Sequence, residues 1–156
     1  MMNISKIGTV GRDEKGYYVM LEKRYIKALK GIEGFSHLHI LWWADQLDQE
    51  EYRKILTTSK PYKPGPEELG MFATRSPLRP NLICTTLISV ADLDLEKGLI
   101  RTYYIDAEEG TPVLDIKPYL PCSDRPEVYS VPEWSAMLPD SIEASATYGW
   151  ESYFNF

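Results

Sequence analysis

Phe35-Ser36-His37-Leu38-His39-Ile40-Leu41-Trp42-Trp43 is the stretch that decides the fold class. It is aromatic and apolar with polar side chains interleaved, and a two-residue period puts Leu38, Ile40 and Trp42 on one face. His37, His39, Leu41 and Trp43 share the other face. So little of the run is polar that it reads as a central strand, buried on most of its length. Strands read on both sides of it. Upstream, Ile4 to Val10 and Tyr17 to Leu21 flank the turn chemistry of Gly11 to Gly16, which together read as a hairpin. Downstream, Asn81 to Val90 and Leu99 to Ile105 read as strands joined by Asp94 to Gly98. Val113 to Leu120 adds one more, edged by Pro112 and Pro118, which have no N–H for a ladder.

Helices are few and short. Lys23 to Lys30 fits one, ending at Gly31 or Gly34, where glycine supplies a left-handed cap. Gln49 to Leu56 fits another, with Tyr52, Ile55 and Leu56 on one side and Asp48 as N-cap. Thr57 to Leu69 holds three prolines and a glycine, so it reads as a stiffened loop. Beyond Pro121 the spacing of Pro126, Pro132 and Pro139 prevents long elements. The tail Tyr148 to Phe156 carries five aromatics in nine residues, too much apolar area to leave in water. It is expected to dock on its own core or across a dimer interface.

A chain of 156 residues is one domain's worth, and 44% hydrophobic with 26% charged residues excludes disorder. The longest strongly apolar run, Ile40 to Ala44, is far short of the roughly 18 residues that suggest a membrane span. Met1 to Lys6 meets charge too early for a signal peptide, and Cys84 and Cys122 stand far apart, so a reducing cytoplasm is the expected setting. A net charge of −6 gives no global attraction to nucleic acid, so any such binding needs a local basic patch.

Three constellations could carry chemistry. In Gly70 to Asn81, Arg75 and Arg79 are each followed within two residues by proline, which makes either a pre-set anion clamp or a loop with solvated arginines. In Asp106 to Pro121, the acids Asp106, Glu108 and Glu109 precede Gly110, and Asp115 and Lys117 share one strand face. Such acids can accept ribose hydroxyls or sit near a cation, and the bland alternative is an acidic turn with an Asp115–Lys117 pair. His37 and His39 have metal-ligand spacing, but no third ligand lies near them in sequence, so no metal is expected. P-loop, GxGxxG and nucleophile-elbow patterns are missing.

Three blocks, in order, resemble the TrmO/YaeB-like (TsaA-like) family of S-adenosylmethionine (SAM)-dependent tRNA N6-threonylcarbamoyladenosine methyltransferases. They are Gly34-Phe35-Ser36-His37-Leu38 with its strand, Gly70-Met71-Phe72-Ala73-Thr74-Arg75-Ser76-Pro77 with Arg79-Pro80-Asn81, and Asp106 with Gly110 to Pro121. The resemblance implies a small antiparallel β-barrel over residues 1–125, a homodimer, a SAM site without a Rossmann sheet, and tRNA as a possible partner. Residues 126–156 would then be an extension packed on the barrel or on the dimer partner.

Matched by position, the cofactor site falls on Asp45, Gln46, Arg75, Cys84, Thr85, Ala107, Glu108, Glu109 and Gly110. Arg79 and Lys117 are the expected partners of an anionic substrate, Lys60 and Lys63 further cations for phosphate, and Asp115 the candidate general base. Cys84 stands where the family usually has glycine, and the Gly11 to Gly16 turn replaces a longer loop. Two alternatives remain beside the tRNA enzyme: a SAM-dependent enzyme with a small-molecule or protein acceptor, and a dimeric binding module without catalysis.

Overall fold

The computed structural model describes residues 3–155. Eight strands form: β1 (Gly8–Asp13), β2 (Gly16–Leu21), β3 (His37–Trp43), β4 (Thr57–Ser59), β5 (Glu68–Gly70), β6 (Ile83–Asp94), β7 (Leu99–Thr102) and β8 (Pro112–Pro118). Six of them close an antiparallel barrel in the order β1-β2-β7-β6-β3-β8, and β4 pairs with β5 in a separate hairpin. The expected antiparallel barrel with short helices is what the chain builds. Among the described residues no helix is long and apolar enough to cross a membrane.

The decisive strand behaves as its period dictates. Leu38, Ile40 and Trp42 point into the barrel, where they meet Val10, Val19, Ile88, Ile100 and Val113, all buried. The His37, His39, Leu41 and Trp43 face is half-buried rather than covered, so β3 is one-sided. Registers fix this arrangement, because Ile40 lies opposite Thr86 on β6 and Ile116 on β8. A slip by one residue would turn the whole apolar set outward.

Several local readings change, each for a tertiary reason. The first strand begins later and ends later than its pattern suggests, running Gly8–Asp13, with Gly11 inside it opposite Tyr18. The Tyr18 ring lies on Gly11 so closely that a Cβ there would sit 2.3 Å from Cζ. That glycine therefore serves close packing, and the turn shortens to Glu14 and Lys15. Arg101 on β7 forks onto Asp13 at 3.0 and 2.8 Å and lies 5.5 Å from the Tyr18 ring centroid, tying β7 to the end of β1 across β2. Lys23–Leu29 winds as a 3-10 helix. The second expected helix is a single turn, α1 (Glu50–Arg53), capped by Gln49, because the Asp48 carboxylate is engaged by Trp43 and Arg53 instead. Part of the Thr57 to Leu69 loop is the β4–β5 hairpin, β6 runs on to Asp94, and β7 stops at Thr102.

The tail docks within its own chain. Tyr153 is 2% exposed, and its ring lies 5.0 Å from that of Tyr62 in the loop between β4 and β5. Phe156, the last of the five tail aromatics, lies outside the described residues.

Candidate functional site

Three segments meet at one end of the barrel. The first follows β3. Ala44 is buried and donates its N–H to the Leu82 carbonyl at 3.0 Å, which bends the chain into a single 3-10 turn, Asp45–Leu47. Asp45 and Gln46 are left exposed. Asp48 closes the turn, accepting from Trp43 Nε1 at 3.0 Å and from Arg53.

The second segment joins β5 to β6. Met71–Ala73 forms a 3-10 turn, and the buried Thr74 hydroxyl donates to the Met71 carbonyl at 2.9 Å. Thr74 Oγ1 accepts from the Ser76 N–H, and Ser76 Oγ from the Leu78 N–H, each at 3.2 Å. Arg79 turns inward onto this loop, its Nη2 donating to the Met71 and Thr74 carbonyls at 3.1 and 3.2 Å. Arg75 is exposed, and its Nη2 reaches the Thr85 carbonyl at 3.3 Å. Thr85 lies on the part of β6 that β7 does not reach, since β7 pairs only with residues 90–94. The two arginines that sequence spacing made equivalent thus have different surroundings.

The third segment joins β7 to β8. Ile105 is buried and anchors it, while Tyr103 and Tyr104 are exposed. The chain then reverses over Glu108 to Thr111, whose N–H donates to the Glu108 carbonyl at 3.2 Å, and Gly110 donates to the Val10 carbonyl at 2.9 Å. Gly110 sits at φ +91°, a left-handed conformation in which a side chain would be strained.

Between these segments lies a cleft of about 420 Å³. Tyr17, Trp42, Pro77 and Tyr104 supply flat or apolar walls, and Asp45, Asp106 and Glu108 supply carboxylates. Tyr17 and Tyr104 meet edge to face with centroids 6.3 Å apart. Burial, then the neighbouring Asp106 charge and its hydrogen bond, pushes the Tyr104 hydroxyl above its ordinary pKa. Cys84 lies on the inner face of β6 opposite Trp42. Burial raises its thiol pKa, Arg79 and Arg75 pull it down, and Asp106 adds to the rise, so all three charges act on this sulfur.

Of the residues expected at the cofactor site, Asp45, Gln46, Ala107 and Glu108 line the cleft. Arg75, Cys84 and Thr85 are not in its lining: Cys84 and Thr85 lie on β6, Thr85 offers its carbonyl to Arg75, and the charges of Arg75, Arg79 and Asp106 act on Cys84, while Glu109 and Gly110 form the turn behind Glu108. Asp115 and Lys117 stand apart. They lie on the outer face of β8, opposite Leu41 and His39, and pair with each other at 2.7 Å. The general-base and anion-partner roles expected of them have no support from this placement. Lys60 pairs with Glu67 and Lys63 donates to the Glu151 carbonyl, so both expected phosphate cations already have partners. On the outer face of β3, His37 Nδ1 meets Ser36 Oγ at 2.9 Å and His39 Nε2 lies 3.4 Å from Asp124. The walls Tyr17, Trp42, Pro77 and Tyr104 come from four separate stretches of chain, and only barrel closure unites them.

Aromatic walls suit a heteroaromatic ring, and carboxylates suit hydroxyls or a cation. Residues 6–125 match the tRNA-methyltransferase O N-terminal domain family. The chain is 37% identical over 120 residues to the tRNA (adenine(37)-N6)-methyltransferase of Escherichia coli, covering 76% of this chain and 48% of that protein. It is 36% identical over 98 residues to an S-adenosyl-L-methionine-binding protein of Archaeoglobus fulgidus, covering 62% and 64%. The fold superposes on the crystal structure of TrmO from Pseudomonas aeruginosa with a TM-score of 0.61 at 26% identity, covering 83% of this chain and 61% of that one. The chain therefore spans between about half and two thirds of these proteins. By the match over its whole barrel, this chain belongs to the tRNA-methyltransferase O N-terminal domain family.

Proposed function

We propose that this protein is a SAM-dependent methyltransferase acting on tRNA adenine, and that the barrel-end cleft holds the cofactor. The observation that carries the reading is the joining of aromatic walls and three carboxylates in one cleft, with the Arg75 guanidinium held outside its lining on the Thr85 carbonyl of β6. Relatives named as tRNA adenine methyltransferases and SAM-binding proteins support it. SAM would bring an activated methyl group on a sulfonium, so the chemistry asked of the protein is chiefly orientation and exclusion of water.

The residues present fit that group. Tyr17, Trp42 and Tyr104 can stack against a purine, and Asp45, Asp106 and Glu108 can accept ribose hydroxyls and balance positive charge. Arg75 can pair with an amino-acid carboxylate. An amide-like acceptor nitrogen needs somewhere for its proton to go. Asp106, whose Oδ1 accepts from the Tyr104 hydroxyl at 3.4 Å, is the carboxylate we assign to receive it.

A homodimer and a cytoplasmic setting belong to the same proposal. Phe72, Tyr103 and Tyr104 present exposed aromatic surface on the segments that form the cleft, which a second copy could cover. Calorimetry with SAM, followed by labelled methyl transfer to tRNA carrying N6-threonylcarbamoyladenosine, tests the reading. Saturable heat and transfer are expected. A folded protein that takes no SAM overturns it, and SAM binding without transfer moves the acceptor to another class.

A further inference from the structure

Residues 126–155 lie beyond the span that matches the family, yet they make one concentrated contact. Tyr62 is its centre. Trp134 stacks on the Tyr62 ring at 5.1 Å and 14°, Tyr153 lies at 5.0 Å and Phe154 at 5.7 Å. Backbone bonds zip the same strands of chain together. Lys63 N–H donates to the Tyr153 carbonyl at 2.8 Å, and Asn155 N–H to the Pro61 carbonyl at 3.0 Å. Two side chains add to this, Lys63 Nζ on the Glu151 carbonyl at 2.8 Å and Asn155 Nδ2 on the Lys60 carbonyl at 3.0 Å. Aromatic contacts of this kind each add about 0.5–1.5 kcal/mol beyond burial.

The gripped loop leads to the cleft by two routes. It joins β4 to β5, and β5 runs directly into the Met71–Ala73 turn, the buried Thr74 and then Arg75. Met71 N–H is held by the Leu56 carbonyl at 2.9 Å, at the foot of the same hairpin. In addition the Arg75 backbone N–H acts on the Tyr62 hydroxyl, opposing the rise in its pKa that burial causes. The Arg75 guanidinium itself makes one bond, to the Thr85 carbonyl.

We propose that the C-terminal extension is a clasp: Trp134, Tyr153 and Phe154 fix Tyr62, and Tyr62 positions the Arg75 segment for the ligand of the cleft. Tyr62 is thus a positioning residue, acting through Arg75, and the extension is part of the working site although none of its described residues lines the cleft. The ligand-affinity half of this statement rests on the assignment of Arg75 to SAM. The ordering half does not.

Hydrogen exchange on the full chain separates the two. In Tyr62→Ala, amides of residues 71–79 should exchange about tenfold or more faster while barrel amides in β1, β3 and β6 keep their protection. Tyr62→Phe keeps the stack and should release the Arg75 amide alone, and Trp134→Ala should loosen residues 60–63 and 71–79 together. SAM affinity, by calorimetry, should fall by about three- to tenfold in Tyr62→Ala and be largely restored in Tyr62→Phe, as expected for lost pre-organisation. Unchanged exchange over 71–79 in folded Trp134→Ala and Tyr62→Phe overturns the clasp, whatever Tyr62→Ala does to folding. Faster exchange in a protein that binds no SAM upholds the clasp and counts against the cofactor reading alone.

Discussion

The Arg53 guanidinium grips Asp48, with Nη2 and Nε at 2.7 and 2.8 Å from Oδ1, while Asp48 Oδ2 takes the Trp43 indole N–H at 3.0 Å. Arg53 also lies 5.1 Å from the Trp43 ring centroid, so the three side chains form one bracket below the Asp45–Leu47 turn. Two cleft residues, Asp45 and Gln46, depend on that turn.

This bracket has a pH signature. The Arg53 hydrogen bond, followed by that from Trp43, holds the Asp48 carboxyl below the usual carboxylate range. A native pKa below the unfolded one contributes stability that is complete above the unfolded value and disappears as pH falls through the native one. Asp48→Asn should therefore melt lower than wild type near neutrality, and the two melting curves should converge between about pH 4 and pH 2. A gap that stays constant across that window would show that charge on Asp48 is not what stabilises the bracket.

Gly11 and Tyr18 give a sharper test of packing. A methyl on Gly11 would meet the Tyr18 ring at 2.3 Å, and the ring cannot turn aside without leaving Arg101, which is also held by Asp13. Gly11→Ala should cost about 1–3 kcal/mol as an overpacking change. In a Tyr18→Ala background the same change should cost little, so the double-mutant cycle by urea melts should show strong coupling. Additive effects would mean that the close approach is not what selects glycine.

That pair also marks where sequence reading stops. The alternation in His37 to Trp43 named its own buried face, because a strand packed on one side leaves a period of two whatever its neighbours are. Gly11 looked like turn chemistry because nothing local reveals that Tyr18 will lie across it. Asp48 looked like an N-cap because its partners, Trp43 and Arg53, flank it on different elements. In the cleft, Asp45, Gln46, Ala107 and Glu108 came from family resemblance, whereas Tyr17, Trp42 and Tyr104 are brought together only by barrel closure. Asp115 and Lys117 show a different limit of local reading. Proximity in sequence to the Glu108–Gly110 turn suggested a shared site, but the strand's alternation carries both to the outer face.

The two arginines of the 71–79 loop should fail in different ways. Arg79 holds the Met71 and Thr74 carbonyls, so Arg79→Ala should lower the melting temperature and loosen the loop. Arg75 holds one carbonyl and is exposed, so Arg75→Ala should melt near wild type and lose about 1.5–3 kcal/mol of SAM affinity, the worth of a charged hydrogen bond. Calorimetry beside thermal melts separates them. A stable Arg79→Ala protein that has lost SAM, beside an Arg75→Ala protein that keeps it, would reverse the assignment.

Glu108 should read the charge on the ligand. It is exposed at the mouth of the cleft with Asp45 and Asp106, an acidic group in a protein that is already at −6. SAM carries a sulfonium, whereas S-adenosylhomocysteine has a neutral sulfur on the same framework. Hydroxyl contacts from Glu108 would serve both ligands alike, but its charge would favour only the first. At roughly 5 Å the attraction is about 1–3 kcal/mol, depending on how far water screens it. Glu108→Gln should therefore weaken SAM by about tenfold and S-adenosylhomocysteine much less, with the difference shrinking as salt is added. Equal losses for both ligands would assign Glu108 to the ribose, and no loss for either would remove it from the site.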